Sequence, residues 1–267
     1  MTSRAGSAVR PAAGPRGIAD VLIAAEKERR PVPPFTRRLP FLDVRTAYQA
    51  QALFVEHRLQ AGEQVIGAKL GLTSAVKRKA LNIHEPVFGR VTSGMVVPHG
   101  EPVRLRELIH PRVEPEIAFL IGKRIEAPTT VAAVLAATEA VLPAIEVVDS
   151  RYADPFRLPD SVADNAGAAR VVLGTQARRP SELVDLAVLG CVFRRRGGIE
   201  TAAGGAVMGH PAAALVWLAE ALSARGEGIE PGSIVLSGGL TASVALAARG
   251  VVTAEFDGLG SIGVHCA

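Results

Sequence analysis

His110-Pro-Arg-Val-Glu-Pro-Glu-Ile-Ala-Phe-Leu-Ile-Gly122 reads as a β-strand whose two faces differ in character. Residues i and i+2 of a strand project to the same side. Glu114 and Glu116 therefore point together, while Val113, Ile117 and Phe119 form an apolar opposite face. Pro115 has no N–H to give to a ladder and predicts a strand start or an edge. Downstream, Ala140-Val-Leu-Pro-Ala-Ile-Glu-Val-Val148 is an apolar run with Glu146 inside it. Neighbouring carboxylates repel, and an ionised Glu146 among Ile145, Val147 and Val148 is costly to bury. One cation held by Glu114, Glu116 and Glu146 removes both penalties. Carboxylate oxygens with room for water suit a hard ion, Mg²⁺ or Mn²⁺, better than zinc. A solvated Glu-x-Glu face is the competing reading and would win if the pair stood alone. Glu146 tips the balance, because a glutamate in so apolar a run is rarely left unpaired. Asp149 is a rival fourth carboxylate, but on a continuing strand it faces opposite to Glu146.

Outward from this strand the pattern mixes helices and short strands. Helical periodicity covers 17–30 and 43–61, separated by Pro31-Val-Pro-Pro34, and Ser74 to Leu81 reads as a short helix with a serine cap. Val65 to Leu72 is a glycine-punctuated strand, followed by strands at 95–97, 103–105, 116–121, 145–148, 169–173, 189–194, 234–236 and 251–256. Helices are expected over Thr130–Val141 and Pro211–Ala224, the latter opening on proline. Without regular βαβ alternation, the fold class is α+β, a mixed β-sheet or roll with a helical N-terminal lobe. The expected organisation is a disordered leader (1–16), a helical lobe (17–61) and a catalytic α+β domain (62–267), together one functional unit.

Composition narrows the function. Thirty Lys and Arg against 26 Asp and Glu leave a net charge of only +4, spread along the chain, and aromatics are 4%, so the stacking platforms of a nucleic-acid binder are absent. The one basic run, Arg194-Arg-Arg196, precedes Gly197-Gly198 and reads as a hairpin tip. Cys191 and Cys266 have no metal-type spacing and fit free thiols. No apolar run approaches a membrane span, and no signal-peptide core stands at the start. The expectation is a cytoplasmic protein without nucleic-acid or membrane partners.

Other residues able to do chemistry are few. Lys69, in Gly67-Ala-Lys-Leu-Gly-Leu-Thr-Ser74, either snorkels to solvent or faces a cleft to bind a carboxylate or transfer a proton. The six histidines are dispersed and show no ligand spacing. Asp164-Asn165-Ala-Gly167 has turn composition, with a cleft role for Asn165 as the minority reading. Ser237-Gly-Gly-Leu-Thr241 reads as a strand–turn whose N–H groups and Thr241 hydroxyl can receive an anion. No nucleotide fingerprint is present.

With these residues assembled, the chain resembles the hydratase/decarboxylase family of aromatic meta-cleavage pathways, a branch of the fumarylacetoacetate hydrolase superfamily. The matching elements run in order through Gly67–Ser74, Pro86–Gly89, Ile109–Glu116, Pro143–Arg151, Val162–Ala166, Val207–Pro211, Ser237–Thr241 and Gly258–Ser261. The resemblance implies the superfamily's fold, Glu114, Glu116 and Glu146 as ligands of Mg²⁺ (or Mn²⁺), and Lys69 as the active-site lysine. It also implies substrate contacts at Ser74, Val87, Asn165, Gly167, Gly239 and Thr241, a small 2-oxo acid substrate, and a homo-oligomer that can join a related hydratase.

Within the family, Val87 replaces an acidic residue common in hydratases. Asp149-Ser-Arg-Tyr152 and Gly238-Gly-Leu-Thr241 follow the decarboxylase pattern. The expected reaction is therefore decarboxylation of 2-oxo-3-hexenedioate (4-oxalocrotonate) to 2-hydroxypenta-2,4-dienoate. The alternatives are hydration of that dienoate, acylpyruvate C–C hydrolysis, and a non-catalytic partner subunit. Gly167, where the family usually has serine, and Pro115, where a small residue is usual, are departures.

Overall fold

The computed structural model describes residues 14–80 and 83–267. Residues 1–13 of the expected leader and Leu81 of the expected short helix lie outside the described residues. Helix α1 (Pro15–Glu28) starts two residues before the expected lobe boundary. Its first turn accepts Pro15 because the N–H that proline lacks would be unpaired there anyway. Helix α2 (Val44–Gln60) is capped by Asp43, whose carboxylate accepts from the Thr46 N–H at 2.7 Å. A cap of this kind contributes about 1 kcal/mol. The two helices bury Ile18, Leu22, Ala47, Ala50 and Phe54 together with Val87, Tyr152, Val162 and Ala163 from the rest of the chain. Buried Gln51 ties the lobe down by donating to the carbonyls of Phe88 at 3.0 Å and Val162 at 2.9 Å.

The body of the protein is a mixed eight-stranded sheet and a four-stranded antiparallel sheet. In the larger one, β1 (Val65–Gly71), β2 (Val87–Thr92), β3 (Val96–Val97), β4 (Arg112–Ile121), β5 (Thr138–Val148), β6 (Ala168–Leu173) and β9 (Ile234–Leu236) follow the order β2-β1-β9-β4-β5-β6-β3. Strand β10 (Val244–Ala245) pairs with the start of β4. The smaller sheet orders β12 (Gly260–His265), β11 (Val251–Phe256), β7 (Gly190–Arg195) and β8 (Gly198–Ala203). The β7–β8 hairpin puts its tip at Arg196-Gly197, at the end of the basic run. Short helices α3 (Ala75–Ala80), α4 (Val131–Ala137) and α5 (Leu158–Ala163) join the strands, and α6 (Pro211–Ser223) packs its apolar residues into the main core. That core also takes Val113, Ile117, Phe119, Ile145 and Val147 from one face of β4 and β5.

Three expectations are corrected. The helix expected over Thr130–Val141 keeps its cap, with Thr130 Oγ1 accepting from the Ala133 N–H, but stops at Ala137. From Thr138 the chain pairs with β4 instead, and β-branched Thr138 and Val141 suit a strand. The strand expected to begin near Glu116 begins at Arg112, so Pro115 sits inside it rather than at its start. It is tolerated because β9 pairs only residues 118–120 and β10 only 112–113, leaving Pro115 at the gap where no ladder N–H is required. Finally, β5 ends at Val148, so Asp149 does not continue its alternation.

Candidate active site

The β4–β5 register builds the site. Glu114 lies directly opposite Glu146, and Glu116 opposite Ala144. Directly paired residues share a face at Cβ separations of about 5 Å, so the three carboxylates converge on one side. Across the sheet, Ala118 pairs with Leu236 and Leu236 with Lys69, which brings Lys69 to the same face. That face is otherwise lined by small or branched residues, Ala118, Ala144, Ala168, Val171 and Leu236. Glu114, Glu116 and Glu146 each offer a ligand oxygen within 4.8 Å of the others. Glu116 and Glu146 are fully buried. Lys69 Nζ stands 3.1 Å from Glu146 Oε2 and donates to the Ala166 carbonyl at 2.9 Å.

Ser237-Gly-Gly completes the cradle. The Gly238 N–H donates to Glu116 Oε2 at 2.6 Å, so the anion received by this turn is the protein's own glutamate. Gly238 has φ +113°, and a Cβ added at Gly239 would lie 2.1 Å from Glu114 Oε2. Gly239→Ala must therefore displace Glu114. Its expected result is a loss of divalent-cation affinity of at least about tenfold with the fold kept, read by calorimetric titration and circular dichroism.

A left-handed turn aims the carbonyl that holds Lys69. Asn165, Ala166 and Gly167 have φ of 51°, 51° and 71°. Non-glycine residues pay for such a conformation and hold it only under external restraint. The restraint is Asn165, whose side chain accepts from the Arg90 N–H at 2.8 Å and donates to the Arg90 carbonyl at 2.9 Å. Behind the turn, fully buried Arg151 pairs through Nε with Asp164 at 3.1 Å and through a terminal nitrogen with Glu26 of α1 at 3.3 Å.

Burial raises Asp164 to about 7 despite the opposing pull of Arg151. The sheltered cavity in front of these groups has a volume of about 330 Å³ and is lined by Lys69, Ser74, Val87, Glu114, Gly167 and Gly239, among others. A larger hollow of about 690 Å³ between α2 and α6 has no carboxylates converged as a metal site among the described residues, and its Arg90 and Arg124 are paired with Glu227 and Glu230.

Of the residues expected from sequence, the structure brings together Lys69, the three glutamates, Ser74, Val87, Gly167 and Gly239. Two expected substrate contacts do not line the cavity. Asn165 is fully buried and its amide bonds to the Arg90 backbone, so in this structure it supports the turn. Thr241 is also buried, with its hydroxyl donating to the Ala242 carbonyl at 3.2 Å. Arg112 and Asp164 line the cavity unforeseen, and so does Asp149, which the strand alternation had turned away from Glu146. Asp149 turns inward because the strand has ended, and accepts from the Ile109 and His110 N–H groups. The i+2 spacing of Arg112 from Glu114 was the available signal for the arginine.

These residues fit a divalent cation. Glu116 Oε1 and both Glu146 oxygens are buried and accept no hydrogen bond among the described residues; the Lys69 approach to Glu146 is a charge contact with poor hydrogen-bond geometry. Burial, then Glu146 and Glu114, push Glu116 well above the usual carboxylate range. Burial raises Glu146 to about 7 against the pull of Lys69. Burial would lower Lys69, but Glu146, Glu114 and Glu116 outweigh it and keep the ammonium charged.

The sign for stability follows. A carboxyl titrating near 7 when folded and 4.5 when unfolded binds more protons in the folded state, so the metal-free protein loses stability as pH rises through that window. A cation replaces those protons. The rise in Tm on adding Mg²⁺ is expected to grow from pH 6 to pH 8, checked by thermal melts with Mg²⁺ and with chelator.

The family model for the fumarylacetoacetate hydrolase C-terminal domain matches residues 55–266. A 4-oxalocrotonate decarboxylase of a Pseudomonas species is 41% identical over 221 residues, covering 82% of this chain and 85% of its own length. A 2-keto-4-pentenoate hydratase of Paraburkholderia xenovorans is 37% identical over 248 residues, 91% of each chain. Among solved structures, 4-oxalocrotonate decarboxylase from Pseudomonas putida G7, complexed with magnesium and adipate, superposes with a TM-score of 0.91 at 32% identity over 95% of this chain and 97% of its own. The chain thus belongs to the fumarylacetoacetate hydrolase family, in its hydratase/decarboxylase branch, and is a lyase.

Proposed function

We propose that the protein decarboxylates 2-oxo-3-hexenedioate to 2-hydroxypenta-2,4-dienoate with Mg²⁺ as its cofactor. The observation that carries this reading is the carboxylate trio, with Glu116 and Glu146 fully buried and Lys69 against them, opening on a cavity walled by Val87. Glu114, Glu116 and Glu146 would hold the cation, which supplies Lewis acidity toward the oxygens of a 2-oxo acid. In the reaction the C5–C6 bond breaks, C6 leaves as CO₂, and the electron pair moves through the conjugated double bond to the C2 oxygen.

That oxygen needs one proton to become the product's hydroxyl. Lys69 is the donor in reach: the adjoining carboxylates keep it protonated and Ala166 fixes its Nζ. Val87, buried against the cavity, keeps that wall free of a group able to activate water. The test is CO₂ release from 2-oxo-3-hexenedioate. Turnover is expected with Mg²⁺ and its loss with excess chelator; turnover surviving complete chelation would sink the metal-dependent mechanism.

One observation favours the hydratase reading. Asp164 lines the cavity and burial raises it to about 7, which gives the site a carboxylate able to take a proton from water near neutral pH. Consumption of 2-hydroxypenta-2,4-dienoate in the absence of CO₂ release from the diacid would establish hydration in place of decarboxylation.

A further inference from the structure

Besides Lys69, the cavity is lined by one other permanently charged cation among the described residues, Arg112. Arg112 opens β4, four residues from Glu116 and two from Glu114, and so lies on the glutamate face of the strand. Lys69 is committed to the glutamates and to Ala166, whereas Arg112 has no carboxylate within ion-pair distance among the described residues. Its guanidinium is nevertheless held in place: Nε donates to Ser243 Oγ at 3.0 Å and a terminal nitrogen to the Ser243 carbonyl at 2.5 Å. Asp149, which follows the ladder partner of Arg112, Val148, is turned onto the Ile109 and His110 N–H groups and leaves the arginine uncovered. The result is an oriented, exposed cation at the mouth of a cavity whose floor is anionic.

We propose that Arg112, positioned by Ser243, is the subsite for the second carboxylate of a dicarboxylic 2-oxo acid. The inference rests on the reading above for the seat of the 2-oxo end, and distance supports it. Strand residues two apart are separated by about 6.7 Å. An extended chain with C–C bonds of about 1.5 Å spans roughly 5 Å from C2 to C6. A 2-oxo acid seated at the glutamates therefore brings a six-carbon diacid's far carboxylate to the fork of Arg112, which matches a carboxylate in geometry.

The subsite has a kinetic signature. The far carboxylate leaves as neutral CO₂, so its attraction to Arg112 fades toward the transition state. Such an interaction acts on ground-state binding. Arg112→Gln is therefore expected to raise KM for the diacid while kcat stays level or rises slightly.

The experiment compares 2-oxoadipate with 2-oxohexanoate, which carries a methyl group in place of the far carboxylate, each titrated calorimetrically into the Mg²⁺-loaded protein. Wild type is expected to prefer the diacid about fivefold, the upper range for an exposed ion pair, and the preference should shrink with added salt. Arg112→Gln should bring the ratio close to one, mainly by weakening the diacid, while Arg112→Lys keeps part of it. An unchanged ratio in Arg112→Gln overturns the subsite. If the ratio collapses yet wild type releases no CO₂ from 2-oxo-3-hexenedioate, the subsite stands and the decarboxylase reading falls. Failure of wild type to bind either acid overturns both.

Discussion

Glu146→Gln is expected to lower kcat/KM for CO₂ release by about 10³-fold or more and to weaken Mg²⁺ binding in parallel. Lewis-acid stabilisation of developing charge is worth several kcal/mol, and each ~1.4 kcal/mol is a factor of ten. Glu146 is the most exacting of the three positions to change. It is fully buried, it faces Glu114 across the ladder, and it carries the charge contact to Lys69. An amide is nearly isosteric but contributes no negative charge. Steady-state CO₂ release and calorimetric Mg²⁺ titration check the result together. A variant retaining turnover and cation affinity within about tenfold of wild type would remove Glu146 from the site.

Lys69→Met separates the cation's role from the lysine's. Proton transfer from a positioned side chain contributes about 10²–10⁴-fold, so turnover should fall by that order. Mg²⁺ affinity should hold or improve, because the competing ammonium is gone from beside the three carboxylates. The metal-free variant should be less stable than the metal-free wild type by about 3–5 kcal/mol, the scale for breaking a buried pair. Mg²⁺ should restore most of that loss. Chemical denaturation with and without Mg²⁺ measures it, and equal losses of turnover and cation affinity would mean the lysine acts only by shaping the metal site.

The carboxylate trio was legible in the chain because a strand's period of two is rigid. Glu114 and Glu116 have to share a face, and an acid inside Ala140–Val148 has to be compensated. Lys69 was legible as a residue able to do chemistry but not as a neighbour of Glu146, since that depends on β9 inserting between β1 and β4. Asn165 shows a partner that local reading could not supply. The composition of Asp164-Asn165-Ala-Gly167 pointed to a turn, with a substrate contact implied by the resemblance, and the structure shows its amide holding a left-handed turn against β2. The Asp149-Ser-Arg-Tyr152 signature likewise has a packing basis: Arg151 is fully buried on Asp164 and Glu26, and Tyr152 packs with Phe35. The strands β2, β8 and β12 are short and each contains glycine, and local reading passed over them.

Alternation of side chains along one strand, and the cost of an unpaired acid in an apolar run, are local physics, so the residues alone specified an acidic face and the hard cation it suits. Which strands lie side by side, where Pro115 escapes the ladder, and how Gly238 comes to donate to Glu116 from a segment far along the chain are set by long-range pairing. The free energy of that pairing belongs to the assembled sheet and to the core packed on its other face. No window of sequence contains it.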